Sequence, residues 1–167
     1  SAGRPVIVGG VMPGRYAVRV TGMPPGWPVA SLRSGVVDLL ERSLETGGRP
    51  VAPVVIRAGT DLGRVEGTVL HVRGRPATSA SVVVFPMRPG ERGRTSALRL
   101  RSVRVGATGR YLIDGLPDGT YGVAAIDEAT SRDWHDPARL SVLRLRARSV
   151  TVRARETRPV ELRFERE

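Results

Sequence analysis

The stretch Gly115-Leu116-Pro117-Asp118-Gly119-Thr120-Tyr121 decides how the chain is read. Pro117 presets φ for a turn, and Gly119 is expected to supply a positive φ at no steric cost. β-rich segments flank it, Tyr111-Leu112-Ile113 before and Tyr121 to Ile126 after. A Tyr opening the second strand of such a turn is placed to form a tyrosine corner. Its ring then sits at the rim of a two-sheet core and its hydroxyl returns to nearby backbone. The pattern recurs upstream as Gly10-Val11-Met12-Pro13-Gly14-Arg15-Tyr16, with Tyr16 and Tyr121 105 residues apart. The expected corner residues are therefore Gly115, Pro117, Gly119 and Tyr121, repeated by Gly14 and Tyr16.

Outward from the second corner, short strands and turns alternate. Val65 to Val72 reads as a strand with Val65, Gly67, Val69 and His71 on one face. Arg73 to Pro76 is a turn, and Ala80 to Phe85 is an apolar strand expected to be buried on both sides. Met87 to Thr95 is a polar loop. Ala97 to Val105 reads as a strand with a bulge near Ser102 to Arg104. Tyr111 is expected mid-strand with no tie of its own. After the corner, Asp136 can cap a helical turn that has Pro137 in first position and runs to about Val142. Strand pairing is expected to resume near Ala147 or through a bulge, and Val160 to Phe164 forms the last strand.

The first sixty residues read differently. Arg4 to Val8 is the end of a strand, Tyr16 to Val20 the strand after the corner, and Gly22 to Pro28 a turn holding Trp27. Ser34 to Glu45 is open between a short helix and a strand fragment with a loop. Val51 to Arg57 is a strand, which Pro50 and Pro53 place at an edge. The predicted class is an all-β antiparallel sandwich in tandem. Residues 64–167 form a complete module, and residues 1–63 the C-terminal part of a preceding one. Because residue 1 opens in mid-module sequence, the chain is expected to belong to a longer protein.

Three sets of motifs resemble the carboxypeptidase regulatory-like domain. The first is Gly67-Thr68-Val69 with Gly74-Arg75-Pro76 and Ser81-Val82-Val83. The second is Gly109-Arg110-Tyr111 followed by Gly115-Leu116-Pro117 and Gly119-Thr120-Tyr121. The third is Asp136-Pro137 through Val152, then Glu156-Thr157 and Val160-Glu161-Leu162. A Gly often precedes the Glu-Thr pair in that family; here Arg155 stands there, so a different turn is expected. The resemblance implies a prealbumin-like, Ig-like sandwich that is a non-catalytic accessory of envelope or secreted proteins, extracellular or periplasmic. It carries over no catalytic residue. A small hydrolase family shares the transthyretin-like sandwich and ends in Tyr-Arg-Gly-Ser, whereas this chain ends Phe164-Glu165-Arg166-Glu167.

Composition narrows the chemistry. The formal net charge is +11, and every basic residue is Arg; Lys, Asn, Gln and Cys are absent. Together with 20 Gly and 13 Pro, this reads as the bias of a GC-rich genome rather than selection for an anionic partner. Acids are interspersed and aromatics are only 4%, too few for a base-stacking platform, so no specific nucleic-acid partner is expected. No apolar run approaches the ~18 residues of a membrane span. Without Cys there is no disulfide, thiolate or Cys-based zinc site. Asp127, Glu128, Asp133, His135 and Asp136 cluster in one loop but match no calcium-loop spacing. His71 and His135 lack a zinc signature, and no nucleophile elbow or phosphate loop occurs.

No catalytic, metal or cofactor site is therefore expected. The expected role is a spacer or docking module whose partners are other domains of the same polypeptide, or a further protein or carbohydrate. The alternative is a carbohydrate-binding module using Trp27 or Trp134 as a stacking platform. Against it stands the reading of both Trp side chains as plugs at the end of the core.

Overall fold

The computed structural model describes residues 6–23, 28–47, 50–88, 99–128 and 132–165. The chain builds an all-β sandwich that, among the described residues, carries one helix on its outer face. One sheet has the order β11-β10-β7-β8, from β7 (Ala80–Pro86), β8 (Arg101–Arg104), β10 (Gly119–Asp127) and β11 (Arg148–Val152). The other centres on β6 (Gly63–His71). β9 (Arg110–Leu116) pairs with it antiparallel, while β12 (Thr157–Pro159) and β13 (Leu162–Phe164) run parallel to its other side.

Alternation along these strands fills the space between the sheets. Val65 and Val69, Val82 and Val84, Tyr111 and Ile113, Tyr121 and Val123, Val152, Leu162 and Phe164 form one cluster. β7 is buried along its whole length because it is covered twice. Val82 and Val84 face the opposite sheet. Val83 and Phe85 face Trp134 and Leu140, beneath α1 (Pro137–Arg146). Asp136 caps that helix, accepting from the Ala138 N–H at 2.8 Å, with Pro137 in the first turn.

The helix runs four residues past the expected Val142, because Leu143 and then Ala147 still pack against the sheet. Arg144 and Arg146 thus lie on the helix, and pairing resumes at Arg148. Two other expectations fail locally. β8 pairs with β7 in unbroken register, with no bulge at Ser102 to Arg104. Val160 and Glu161 interrupt the last strand, leaving β12 and β13, although one register runs through both. The expected strand start at Ala97 and Leu98 lies outside the described residues, and Arg99 and Leu100 precede β8.

Residues 6–58 hold two small sheets. β1 (Gly14–Tyr16) pairs with β4 (Leu44–Thr46); β2 (Val29–Ser34) lies between β3 (Val37–Asp38) and β5 (Val54–Ala58). Among the described residues no strand pairing joins β1–β5 to β6–β13. Ser34 to Glu45 is strand and turn, not helix. Leu39 and Leu40 sit in a turn held by Asp38 and are buried with Val29 and Leu32. The strand after the first corner ends at Tyr16 rather than Val20; of the strand expected at Arg4 to Val8, residues 4 and 5 lie outside the described residues, and residues 6–8 are exposed and in no strand. β2, the central strand of its sheet, escaped the sequence reading because Ala30, Ser31 and Arg33 dilute its apolar alternation. β5 does stand at an edge, with Val54, Val55 and Ile56 all exposed.

Candidate functional site

The two corners have one geometry. The Tyr121 hydroxyl donates to the Pro117 carbonyl at 2.7 Å, and the Tyr16 hydroxyl to the Met12 carbonyl at 2.9 Å, each four residues back. The positive φ does not lie at Gly119. It lies at Gly115, φ 75°, and at Gly10, φ 71°, each six residues before its Tyr. Gly115 marks where β9 carries an extra residue against β6, and a left-handed glycine absorbs that bulge without strain. Gly119 answers to its Tyr instead: a Cβ there would press on the ring, 3.3 Å from Tyr121 Cε2, whereas one at Gly14 would make only ordinary contact, 3.5 Å from Tyr16 Cε2.

Burial separates the corners. Tyr121 is 0% exposed and Tyr16 39%. Burial pushes the Tyr121 phenol up to about 12, against the pull of the Arg99 and Arg101 guanidiniums. Tyr111, expected to be untied, donates to the Val160 carbonyl at 2.8 Å in the buried interior. Burial likewise raises its phenol above the ordinary range. That carbonyl passes so close to β6 that a Cβ at Gly67 would overlap it. The Gly of the Gly67-Thr68-Val69 motif therefore leaves room for the returning chain, and Tyr111 fastens that chain in place.

The sequence reading also missed Arg99. It is 5% exposed, and its Nη2 donates to Asp38 Oδ2 at 2.8 Å and to the Asp118 carbonyl at 3.3 Å; its Nη1 donates to Glu41 Oε1. The strand expected there puts Leu98 and Leu100 on one face and Arg99 and Arg101 on the other, which sends Arg99 to solvent by default.

The candidate ligand contacts fare differently. Trp134 is 8% exposed, packed with Val83, Phe85, Ala124 and Leu140 under α1. It lies on the outer face of the sheet rather than at the end of the core, and too little ring is open for a sugar to stack on. Trp27 lies outside the described residues. In the acidic loop, Asp136 serves as the helix cap and Glu128 pairs with Arg104. His71 packs against Phe164 with ring centroids 5.6 Å apart, and His135 stands edge-on to Trp134. Among the described residues, no three His, Asp or Glu side chains gather to hold a metal ion, and no helix is long and apolar enough to cross a membrane.

No family model matches the chain, and no curated protein matches it significantly. Three solved structures share its fold only loosely. The TIE protein of Bacillus anthracis is 14% identical over 74% of this chain and 20% of its own, with a TM-score of 0.39. The minor pilin GBS52 of Streptococcus agalactiae is 16% identical over 68% and 49%, with a TM-score of 0.41. The major pilin subunit BcpA of Bacillus cereus is 12% identical over 74% and 35%, with a TM-score of 0.39. The chain spans a fifth to a half of the length of these proteins.

Proposed function

We propose that the chain is a non-catalytic structural module of a larger envelope or secreted protein, related to the carboxypeptidase regulatory-like domains and serving to space or dock its neighbours. One observation carries this reading. The side chains best placed to do chemistry from a buried site instead tie chain to chain: Tyr121 to Pro117, Tyr111 to Val160, and Arg99 to Asp38 and Glu41. Active sites concentrate perturbed groups in a cleft open to substrate. Here both raised phenols are engaged with backbone inside the core.

The test is a panel of ester, phosphate, peptide and glycoside substrates, run beside titration with a set of oligosaccharides. The expected result is no turnover above buffer and no saturable sugar binding. Turnover that survives purification to homogeneity would sink the reading. Saturable sugar binding abolished by Trp27→Ala would replace it with the carbohydrate-binding alternative.

A further inference from the structure

We infer that Arg99 is a latch that fixes residues 6–58 against the sandwich as one rigid body, with an acidic turn on the first part built to receive it. The inference rests on the spacer reading and gives it a mechanism. Only one covalent connection, residues 59–62, joins the two groups of strands, and among the described residues no sheet crosses it. A single connection leaves rotation free unless a second contact opposes it, since interfaces within a chain permit relative motion by default.

Arg99 supplies that second contact. It arrives from the segment before β8 with its side chain only 6% exposed. The receiving turn presents two carboxylates on one side. Asp38 closes β3, and its Oδ1 accepts from the Leu40 N–H at 2.9 Å while its Oδ2 faces Arg99. Glu41 follows one turn on, its N–H bonded to the Asp38 carbonyl at 3.2 Å. Between them Leu39 and Leu40 are buried, so the turn is anchored in the small core of the first part.

On the sandwich side the same guanidinium reaches the Asp118 carbonyl, next to the Pro117 carbonyl that holds Tyr121. The latch therefore joins the acidic turn to the most tightly tied corner of the sandwich. Arg suits the place because its planar fork can engage three acceptors in fixed directions, which a Lys ammonium does not do. A buried cation between two carboxylates also resists sliding, because moving it strands charges away from water.

The chain has no Cys, so a spin-label pair can be placed at will. Val36, 95% exposed, and Leu145, 86% exposed, report one part each. The full chain carrying Val36→Cys and Leu145→Cys should give one narrow distance distribution by electron–electron double resonance. Arg99→Met, which keeps length and removes the charge, should broaden it. Asp38→Asn with Glu41→Gln, which leaves the sandwich untouched, should broaden it too. Proteolytic cutting at residues 58–62 should quicken about tenfold in both.

If Arg99→Met fails to fold, the Asp38/Glu41 variant decides alone. A narrow distribution in the Asp38/Glu41 variant overturns the latch, as does a broad one in the parent. Neither result bears on catalysis, whereas turnover in the substrate panel would remove the spacer reading without changing either distance distribution.

Discussion

Tyr16 and Tyr121 make the same bond over the same four-residue span, yet one corner stands half open to solvent and the other is sealed. The two stretches share both glycines and the Tyr at matching positions, with the Pro displaced by one, so the local frame is common and the difference in burial follows the sheets. β10 runs for nine residues and is paired on both sides, by β7 and β11. β1 runs for three and, among the described residues, is paired by β4 alone. The residue opposite the corner glycine follows suit. Val152 stands across from Gly119 and is fully buried, while Thr46 stands across from Gly14 and hydrogen-bonds to the Met12 carbonyl at 2.7 Å. A corner motif therefore sets geometry, and the second neighbouring strand sets how much that geometry stabilises.

The largest expected effect follows from this. Residues 60–167 should fold and melt cooperatively alone, because both sheets and the covering helix lie within them. Residues 1–59 should not: they keep only short two- and three-stranded sheets, with Val54, Val55 and Ile56 exposed along an edge. Proton NMR of the two fragments checks this. A dispersed spectrum from 1–59 would show that the first corner needs no second neighbouring strand.

Next come the phenols. Tyr121→Phe keeps the ring and deletes the bond to Pro117 inside the core, so it should cost about 1–3 kcal/mol. Tyr111→Phe should cost as much, since its bond to Val160 is equally buried. Tyr16→Phe should cost less than ~0.5 kcal/mol, because Thr46 still donates to the Met12 carbonyl and the ring is partly solvated. Urea melts of the three single variants rank them. Equal losses at Tyr16 and Tyr121 would mean that burial is not what divides the corners.

Alkaline titration sharpens the same contrast. The folded Tyr121 phenol is pushed up to about 12 from 10.0, so the folded state holds its proton where the unfolded chain has lost it. That contribution is fully present below pH ~10 and is lost as pH rises through about 12. Stability should fall between these values in the parent, and fall less steeply in Tyr121→Phe. An unchanged slope would assign the loss to other groups.

Much of the sandwich was legible because its signals are local. Alternating valines, Gly-Pro turns and an Asp-Pro helix start each act within a few residues. What was not legible depends on partners far along the chain. Nothing near Tyr111 announces that Val160, 49 residues on, will present a carbonyl to it. Nothing near Arg99 announces Asp38 and Glu41, which precede it by 61 and 58 residues. The sequence places a Gly at 119 and predicts a left-handed turn there. Pairing with β6 moves that conformation to Gly115, because the register bulge must be absorbed where β9 has its extra residue.

The most local effect sits where the two parts connect. Arg155 stands where the resembling family often has Gly and adopts φ 61°, in the left-handed region. Its Nη2 donates to Asp61 Oδ2 at 2.6 Å, from the sandwich back to the connection. That bond, with the guanidinium charge beside it, holds the Asp61 carboxyl below its ordinary value of 3.8. A non-glycine residue in this conformation costs roughly 1 kcal/mol. Arg155→Gly removes that strain and loses the ion pair, whereas Arg155→Ala keeps the strain and loses the pair. The Gly variant should therefore exceed the Ala variant by about 1 kcal/mol. The two contributions separate by pH. Because the folded Asp61 is the stronger acid, its pairing stabilises above pH 3.8 and is lost as pH falls through its lower folded value. The gap between parent and Arg155→Ala should close in acid, while the gap between the Gly and Ala variants persists. A Gly–Ala gap that vanishes in acid would place the strain elsewhere and leave Arg155 acting through its charge alone.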